Sequence, residues 1–196
     1  MGFLRIFGGD IMANLKITEL PALTVVLGED LLAIVDDPTG TASTKKIRID
    51  DFQSTWHVGA KVFNSANISI ADDTAVALTY DSEEYDTDGI HSTGTNTGRL
   101  TCVTAGYYIV IAIVRFETNT TGYRRLYIVN SATGAISTTT QGETSDDIQC
   151  DLFCAATVYL NVGDYLTASV KHKATAALNV LNYSNTSPYF MMHRIG

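Results

Sequence analysis

The feature that most constrains the fold is the apolar stretch Gly106–Phe116, which reads GYYIVIAIVRF. Nearly all residues after the glycine are β-branched or aromatic, and such residues favour a β-strand, whose successive side chains point to opposite faces. One face would carry Tyr107, Ile109, Ile111 and Ile113, and the other Tyr108, Val110, Ala112, Val114 and Phe116. A strand with one solvated face alternates apolar with polar residues. Because both faces are apolar here, the pattern predicts a strand that is covered on both sides.

The second covered face needs an occupant. In a single antiparallel sandwich, one face of each sheet packs on the core and the other faces solvent. We therefore expect the second face of Gly106–Phe116 to meet another subunit, and a covering loop of the same chain is the alternative.

From Val58 onward the chain is a succession of short apolar segments separated by turn residues. Alternation is clean in several of them, for example Ile148, Cys150, Leu152 and Cys154 on one face of a single segment. The segments predict strands over residues 59–64, 67–71, 75–80, 98–103, 107–117, 122–130, 134–140, 146–160, 164–173, 176–183 and 187–195. Since no helical periodicity interrupts them, we predict an all-β fold, a jelly-roll β-sandwich.

Residues 1–56 are predicted to form a separate, mostly extended β module in front of the sandwich, which would occupy residues 57–196. Two short strand candidates, 31–35 and 45–49, flank a turn signal that reads DDPTGT. The module has too few apolar residues to form a hydrophobic core of its own. It must therefore dock on a partner or wind with copies of itself. Met12 is a second plausible start, which would make residues 1–11 an extended start.

Charge and hydropathy exclude two classes of partner. The net charge is −8, and the few basic pairs are scattered among acids, which argues against binding a nucleic-acid backbone. No apolar run approaches the roughly 18 residues that a membrane-spanning helix needs. We therefore predict neither a nucleic-acid partner nor a membrane span.

The three cysteines are predicted to be buried free thiols. Cys150 and Cys154 would lie on one face of a strand, about 13 Å apart at roughly 3.3 Å per residue, which is too far for a disulfide. A single bridge from one of them to Cys102 is the alternative. Free thiols fit a chain that is made in a reducing cytoplasm.

The sequence carries no motif for catalysis or for a cofactor. No Gly-x-Ser-x-Gly, phosphate loop or Cys/His pairing occurs, and the four histidines lack metal-ligand spacing. His172 falls on the apolar face of its strand, where we expect a hydrogen-bonded core residue. We predict a protein that is not an enzyme and has no cofactor; a glycan-cleaving carboxylate pair is the alternative, because such pairs form in space rather than in sequence.

An acidic stretch contains Glu84, Asp86 and Asp88, which echo the front half of a calcium loop. Position twelve of that loop is Thr95, where a bidentate glutamate is required, so an EF-hand is excluded. We predict no resident metal and a solvated loop face; a looser calcium site on these three carboxylates is the alternative.

Motifs in residues 57–196 together resemble the C1q/tumour-necrosis-factor-like jelly roll. They occur in the family's order and read YDTDG (85–89), GRLTCV (98–103), AGYYIV (105–110), GYRRLYIVN (122–130), LNVGDYL (160–166) and YFMMHRI (189–195). The chain departs from the family at its Asn-Gly turn, where residues 130–134 read NSATG. The resemblance implies a trimer, in which an apolar sheet face of each subunit is buried against its neighbours. We assign the trimer interface and core to Tyr108, Val110, Ala112, Val114 and Phe116.

The front of the chain resembles the opening segments of bacteriophage tail-fibre and related virion proteins. The resemblance rests on ITELPAL (17–23), LLAIVD (31–36) and TKKI (44–47). It implies a segment that joins the protein to the particle, and a protein found in the virion after assembly in the host bacterial cytoplasm. The docking residues would be Leu20, Pro21, Leu23, Leu31 and Ile34.

Together the two resemblances imply a short trimeric phage fibre or spike. Its N-terminus would dock on another virion protein of tail or capsid, and its jelly roll would bind a host-surface glycan or protein. Candidate receptor-binding residues are Tyr85, Tyr123 and Asn119, since exposed Tyr and polar loop residues suit such contacts. The alternatives are a trimeric capsid decoration protein and a free lectin-like module.

Overall fold

The computed structural model describes residues 31–36, 43–48, 57–143 and 148–195. The chain has two compact units, Met1–Gln53 and Ser54–Gly196. In the first unit, β1 (Leu31–Asp36) and β2 (Ser43–Arg48) form an antiparallel hairpin in which Leu31 lies opposite Arg48. The docking candidates Leu20, Pro21 and Leu23 lie outside the described residues, as does the predicted boundary after residue 56. Leu31 and Ile34 lie in β1.

The described part of the second unit is a sandwich of two antiparallel sheets. Its strands are β3 (Gly59–Phe63), β4 (Ile68–Ile70), β5 (Val76–Ala77), β6 (Ser82–Asp86), β7 (Leu100–Thr101), β8 (Gly106–Phe116), β9 (Arg124–Asn130), β10 (Gly134–Gln141), β11 (Cys150–Leu160), β12 (Tyr165–His172), β13 (Leu178–Val180) and β14 (Tyr189–Arg194). One sheet has the order β10-β9-β12-β5, with β7 also paired to β12. The other has the order β4-β13-β8-β14-β3-β6, with β11 paired to β8. The prediction of an all-β jelly roll is confirmed.

Strand β8 is the central strand of the larger sheet. It pairs with β11 along its whole length, from Gly106 opposite Leu160 to Phe116 opposite Cys150. Its other edge pairs with β14 over residues 108–113 and meets β13 at Phe116. A strand with both edges paired has no free backbone edge, which fits the β-branched composition of β8.

The core lies between the two sheets. From β8 it receives Tyr108, Val110, Ala112, Val114 and Phe116, all with 0% exposure. They pack in one cluster with buried residues of the facing sheet, among them Leu126, Ile128, Leu166 and Val170. The hydroxyl of Tyr108 donates to the Thr104 carbonyl at 2.5 Å, which satisfies the one polar group of this set.

Two predictions about single residues in the core are confirmed. All three cysteines are buried and free. His172 is fully buried, and its Nε2 lies 2.9 Å from the Ile70 carbonyl oxygen. These residues therefore serve packing.

One strand was missed by the sequence pattern. Residues 82–86 were predicted to lie on a solvated acidic loop, but they form β6 at the edge of the larger sheet. Lys61 of β3 pairs with Glu84 at 2.7 Å, so a charge on the neighbouring strand offsets the poor strand propensity of the acidic residues. Among the described residues, no helix has the length and apolar character needed to cross a membrane.

The connection between β9 and β10 is the turn at which the sequence departs from the family pattern. Residues 131–133 form the loop, and Gly134 follows with φ of +85°. The side-chain oxygen of Asn130 accepts a hydrogen bond from the Ala132 amide at 2.7 Å, which closes the turn. A left-handed glycine after a three-residue loop is a common hairpin solution.

Candidate binding surfaces

The larger sheet carries an apolar surface on its side away from the core. We call this surface the outer face. It consists of Tyr107, Ile109, Ile111 and Ile113 of β8, Phe153, Ala155 and Tyr159 of β11, and Tyr189 and Met191 of β14.

Strand register arranges the outer face in rows. Tyr107 lies opposite Tyr159, and the two rings meet edge to face at a centroid distance of 5.2 Å. In the middle, Ile111 lies between Ala155 on β11 and Met191 on β14. Aromatic and β-branched side chains that pair across strands stabilise a sheet. The outward surfaces of these side chains nevertheless remain in contact with water.

The outer face is exposed to a degree that is unusual for such residues. Tyr107 is 55% exposed, Phe153 53% and Tyr159 50%. No described segment of the second unit covers them. A contiguous apolar patch of this kind marks an interaction surface in soluble proteins.

Charged pairs border the outer face on two sides. At one end, Arg115 donates to both carboxylate oxygens of Asp151 at 2.6 and 2.7 Å, and its guanidinium lies over the Tyr183 ring at 4.1 Å. On the β3 side, the Lys61 ammonium pairs with Glu84 and lies 5.0 Å from the Tyr189 ring centroid. An apolar centre with a polar rim is the anatomy of a protein–protein interface.

The structure places the residues assigned to the trimer interface and core inside a single chain. Tyr108, Val110, Ala112, Val114 and Phe116 fill the sandwich core, so a subunit contact made by β8 has to use the outer face instead. The sequence could not separate the two faces of β8, because both are apolar. On β11 the pattern offered a signal in Phe153 and Tyr159, two aromatic residues on the same side as Asp151 and Thr157.

The three receptor-binding candidates are not brought together. Tyr85 lies on the edge strand β6 of the larger sheet, where burial raises the pKa of its hydroxyl. Asn119 and Tyr123 lie in the β8–β9 connection beside the smaller sheet. The Asn119 side chain accepts from the Thr121 amide, and Tyr123 stacks with Arg125 at 5.2 Å.

The three calcium candidates point to different partners. Asp86 accepts the amides of Asp88, Ile90 and His91, which holds the turn after β6. Asp88 accepts from the Thr104 hydroxyl, and Glu84 pairs with Lys61. Within the described ranges, no group of three His, Cys, Asp or Glu side chains is placed to hold a metal ion.

Comparison with known proteins identifies the fold. No protein-family model matches the chain, and no curated protein sequence matches it significantly. Among solved structures, murine APRIL at pH 5.0 is similar with a TM-score of 0.55 and 11% identity, over 71% of this chain and 99% of that one. Eiger TNF from S. frugiperda is similar with a TM-score of 0.52 and 16% identity, over 71% and 93%. The globular domain of zebrafish complement 1qA protein gives 0.47 and 15%, over 71% and 98%.

At sequence identities this low, the similarity to these structures establishes the fold alone. It covers 71% of the chain. The motifs between residues 85 and 195 had indicated the same architecture. The described sandwich therefore has the jelly-roll fold seen in murine APRIL and Eiger TNF.

Proposed function

We propose that the chain is a homotrimeric virion attachment protein. Three jelly rolls would meet through their outer faces, the N-terminal unit would dock on the particle, and the opposite side of the jelly roll would contact the host surface. The observation that carries the proposal is the outer face, because its exposed aromatic and aliphatic side chains need a partner.

A second copy of the chain is the occupant that best fits this face. Closed symmetry lets each subunit bury one surface against its neighbours and leaves no open end for further growth. The resemblance to C1q/TNF-like jelly rolls implies the same assembly. Burial of Tyr107, Phe153 and Tyr159 would then supply aromatic anchors of the kind that dominate interface energies.

The virion role rests on the N-terminal resemblance to phage fibre proteins. A two-strand hairpin such as β1–β2 is marginal in water without a partner surface, which suits a segment that docks. A capsid decoration protein would use the same trimer in a different place.

Substitution at the centre of the outer face tests the assembly. Ile111→Asp would put a carboxylate without a partner into the proposed interface, which is strongly unfavourable when it is desolvated. We expect at least a 100-fold weaker trimer by sedimentation velocity, with unchanged β-sheet circular dichroism. Ser169→Asp is the matched control, because it adds the same charge to a half-buried strand position on the smaller sheet.

Equal trimer stability in the Ile111→Asp and Ser169→Asp variants would contradict an interface on the outer face. The virion role has a separate test. Gold-labelled antibody against the jelly roll should mark purified particles at the tail. Labelling over the capsid would support decoration instead, and unlabelled particles would contradict a virion role.

A further inference from the structure

The smaller sheet carries a groove on the side of the molecule that the proposed trimer leaves free. It lies between the loop that precedes β7 and the adjacent ends of β9 and β12, and its volume is about 660 Å³. Sites for small ligands in proteins commonly have about 300–1,000 Å³. The groove is therefore large enough for one or two sugar rings.

One charged residue, Arg99, is found among the described residues that line this groove. Its guanidinium carbon lies over the Tyr165 ring at 4.1 Å from the centroid. Stacking on an aromatic ring restrains a guanidinium without using its N–H donors. The side chain is therefore held in place with its hydrogen-bonding capacity intact.

Arg99 differs from the other arginines of the described jelly roll in having no acceptor. Arg115 donates to Asp151, Arg125 to Thr140, and Arg124 and Arg194 to backbone carbonyls. No side-chain hydrogen bond or ion pair within the described ranges involves the Arg99 guanidinium. A guanidinium without an acceptor matches a carboxylate, which it can bind with two parallel hydrogen bonds.

The backbone around Arg99 is held by hydrogen bonds and close packing. The Arg99 amide donates to the Asn96 carbonyl at 3.0 Å, and the Thr97 carbonyl accepts from the Tyr80 amide and lies 3.0 Å from Nε2 of the buried His91. At Gly98 a Cβ atom would lie 2.6 Å from the Leu78 carbonyl oxygen, so this loop packs directly against the neighbouring backbone. A fixed loop keeps the ordering cost of ligand binding low.

Neutral polar groups complete the groove. Asn130 lines the groove, and its Oδ1 accepts from the Ala132 amide at 2.7 Å. Its side-chain NH₂ group can donate to a ligand that supplies an acceptor. Thr79, Thr97 and Thr167 add hydroxyl groups to the lining.

We propose that this groove binds a carboxylated sugar residue of a surface glycan, with the carboxylate on Arg99 and the sugar hydroxyls on the amide and hydroxyl side chains. One cation matches one carboxylate, and the chain's net charge of −8 disfavours polyanions such as sulfated glycans. An acidic peptide could satisfy Arg99, but the ring of neutral hydroxyl and amide groups favours a polyol. The inference rests on the proposed host-surface binding, since it names the ligand class and the site.

Saturation-transfer NMR with the full chain tests the proposal. The probes are sialyllactose, trigalacturonate, lactose and a short poly-glutamate peptide, so that sialic and uronic acids are compared with a neutral sugar and an acidic peptide. The expected result is binding of at least one carboxylated sugar and no binding of lactose. Arg99→Gln should weaken that binding at least ten-fold, and Arg99→Lys should weaken it less.

Arg125→Gln is the matched control, because Arg125 also stacks on a tyrosine of the same sheet, Tyr127, but does not line the groove. Its binding should stay within two-fold of the parent. Equal binding of lactose, unchanged binding in Arg99→Gln, binding of the peptide alone, or no binding at all would overturn the proposal. Light scattering on the same samples reports the trimer separately, so a trimer that binds no sugar contradicts only the groove, and a sugar-binding monomer contradicts only the assembly.

Discussion

At the scale of single residues, Gly122 occupies a backbone position that only glycine can adopt. Its φ is +67°, and an added Cβ atom would lie 1.6 Å from the Lys173 carbonyl oxygen. The Lys173 amide donates to the Tyr123 carbonyl at 3.0 Å, so the two backbone segments are held together where they meet. Both the left-handed conformation and the close approach therefore require glycine here.

Gly122→Ala is expected to lower the free energy of unfolding by about 3 kcal/mol or more, because it combines a disfavoured φ with a clash against backbone. Gly89→Ala is the control, since Gly89 has the same φ of +67° but nothing within 4 Å of an added Cβ. There we expect a loss of about 1 kcal/mol, from φ alone. Chemical denaturation measures both, and equal losses would contradict the close approach at Gly122.

Burial should also protect the thiols. Desolvation raises the pKa of Cys102 and of Cys150 above the ordinary value, which lowers the thiolate fraction at neutral pH. We expect none of the three cysteines to be alkylated by iodoacetamide in the folded protein at pH 7.5, and all three in denaturant. Mass spectrometry counts the added groups; rapid labelling of the folded chain would show that a thiol is accessible.

At the scale of elements, the Arg115–Asp151 pair connects β8 to β11. The Arg115 guanidinium lowers the pKa of the Asp151 carboxyl below its ordinary value of 3.8. A carboxyl group with a depressed pKa stabilises the fold above its unfolded pKa, and the contribution disappears as pH falls through the folded pKa. The stabilisation is therefore complete at neutral pH, begins to decrease below about pH 3.8, and is lost as pH falls through the lower folded pKa.

A double-mutant cycle with Arg115→Gln and Asp151→Asn measures this contribution. We expect a coupling free energy of at most about 1 kcal/mol at pH 7, since Asp151 is largely exposed and solvent screens the pair. The coupling should shrink as pH falls below 3.8 and return when pH is raised. A coupling that is unchanged at pH 2.5 would contradict the ion pair.

Sequence patterns predicted the elements well where the side chains alone determine the structure. The stretch that begins at Gly106 was expected to be a strand, and β8 extends from Gly106 to Phe116. Strand β6 could not be recognised, because its acidic residues form a strand only through pairing with β3. The inner face of β8 could not be chosen either, since the choice depends on how the two sheets pack.

The candidate sites were less predictable than the fold. Arg99 and Tyr165 both line the groove. They are distant in sequence and come into contact because β7 pairs with β12. Neither residue belongs to a local motif that signals binding. The outer face likewise depends on strand register, which places Tyr107 beside Tyr159 and Ile111 beside Met191.

At the scale of the whole molecule, the two sheets have surfaces of opposite character. The outer face of the larger sheet is apolar with charged pairs at its rim, whereas the smaller sheet carries arginine–tyrosine stacks and hydroxyl groups on its solvent side. An apolar surface suits permanent assembly, and a polar surface with fixed aromatic rings suits a reversible ligand. This difference matches the proposed division between assembly on the outer face and ligand binding on the smaller sheet.

The mass of the unmodified chain in solution tests the central claim most directly. Sedimentation equilibrium over a wide concentration range should give a single species of about three times the chain mass of 21.2 kDa. The trimer should persist on dilution, because its interface would contain the aromatic residues of all three outer faces. A mass of 21.2 kDa at every concentration would contradict the assembly and leave the apolar outer face without a partner.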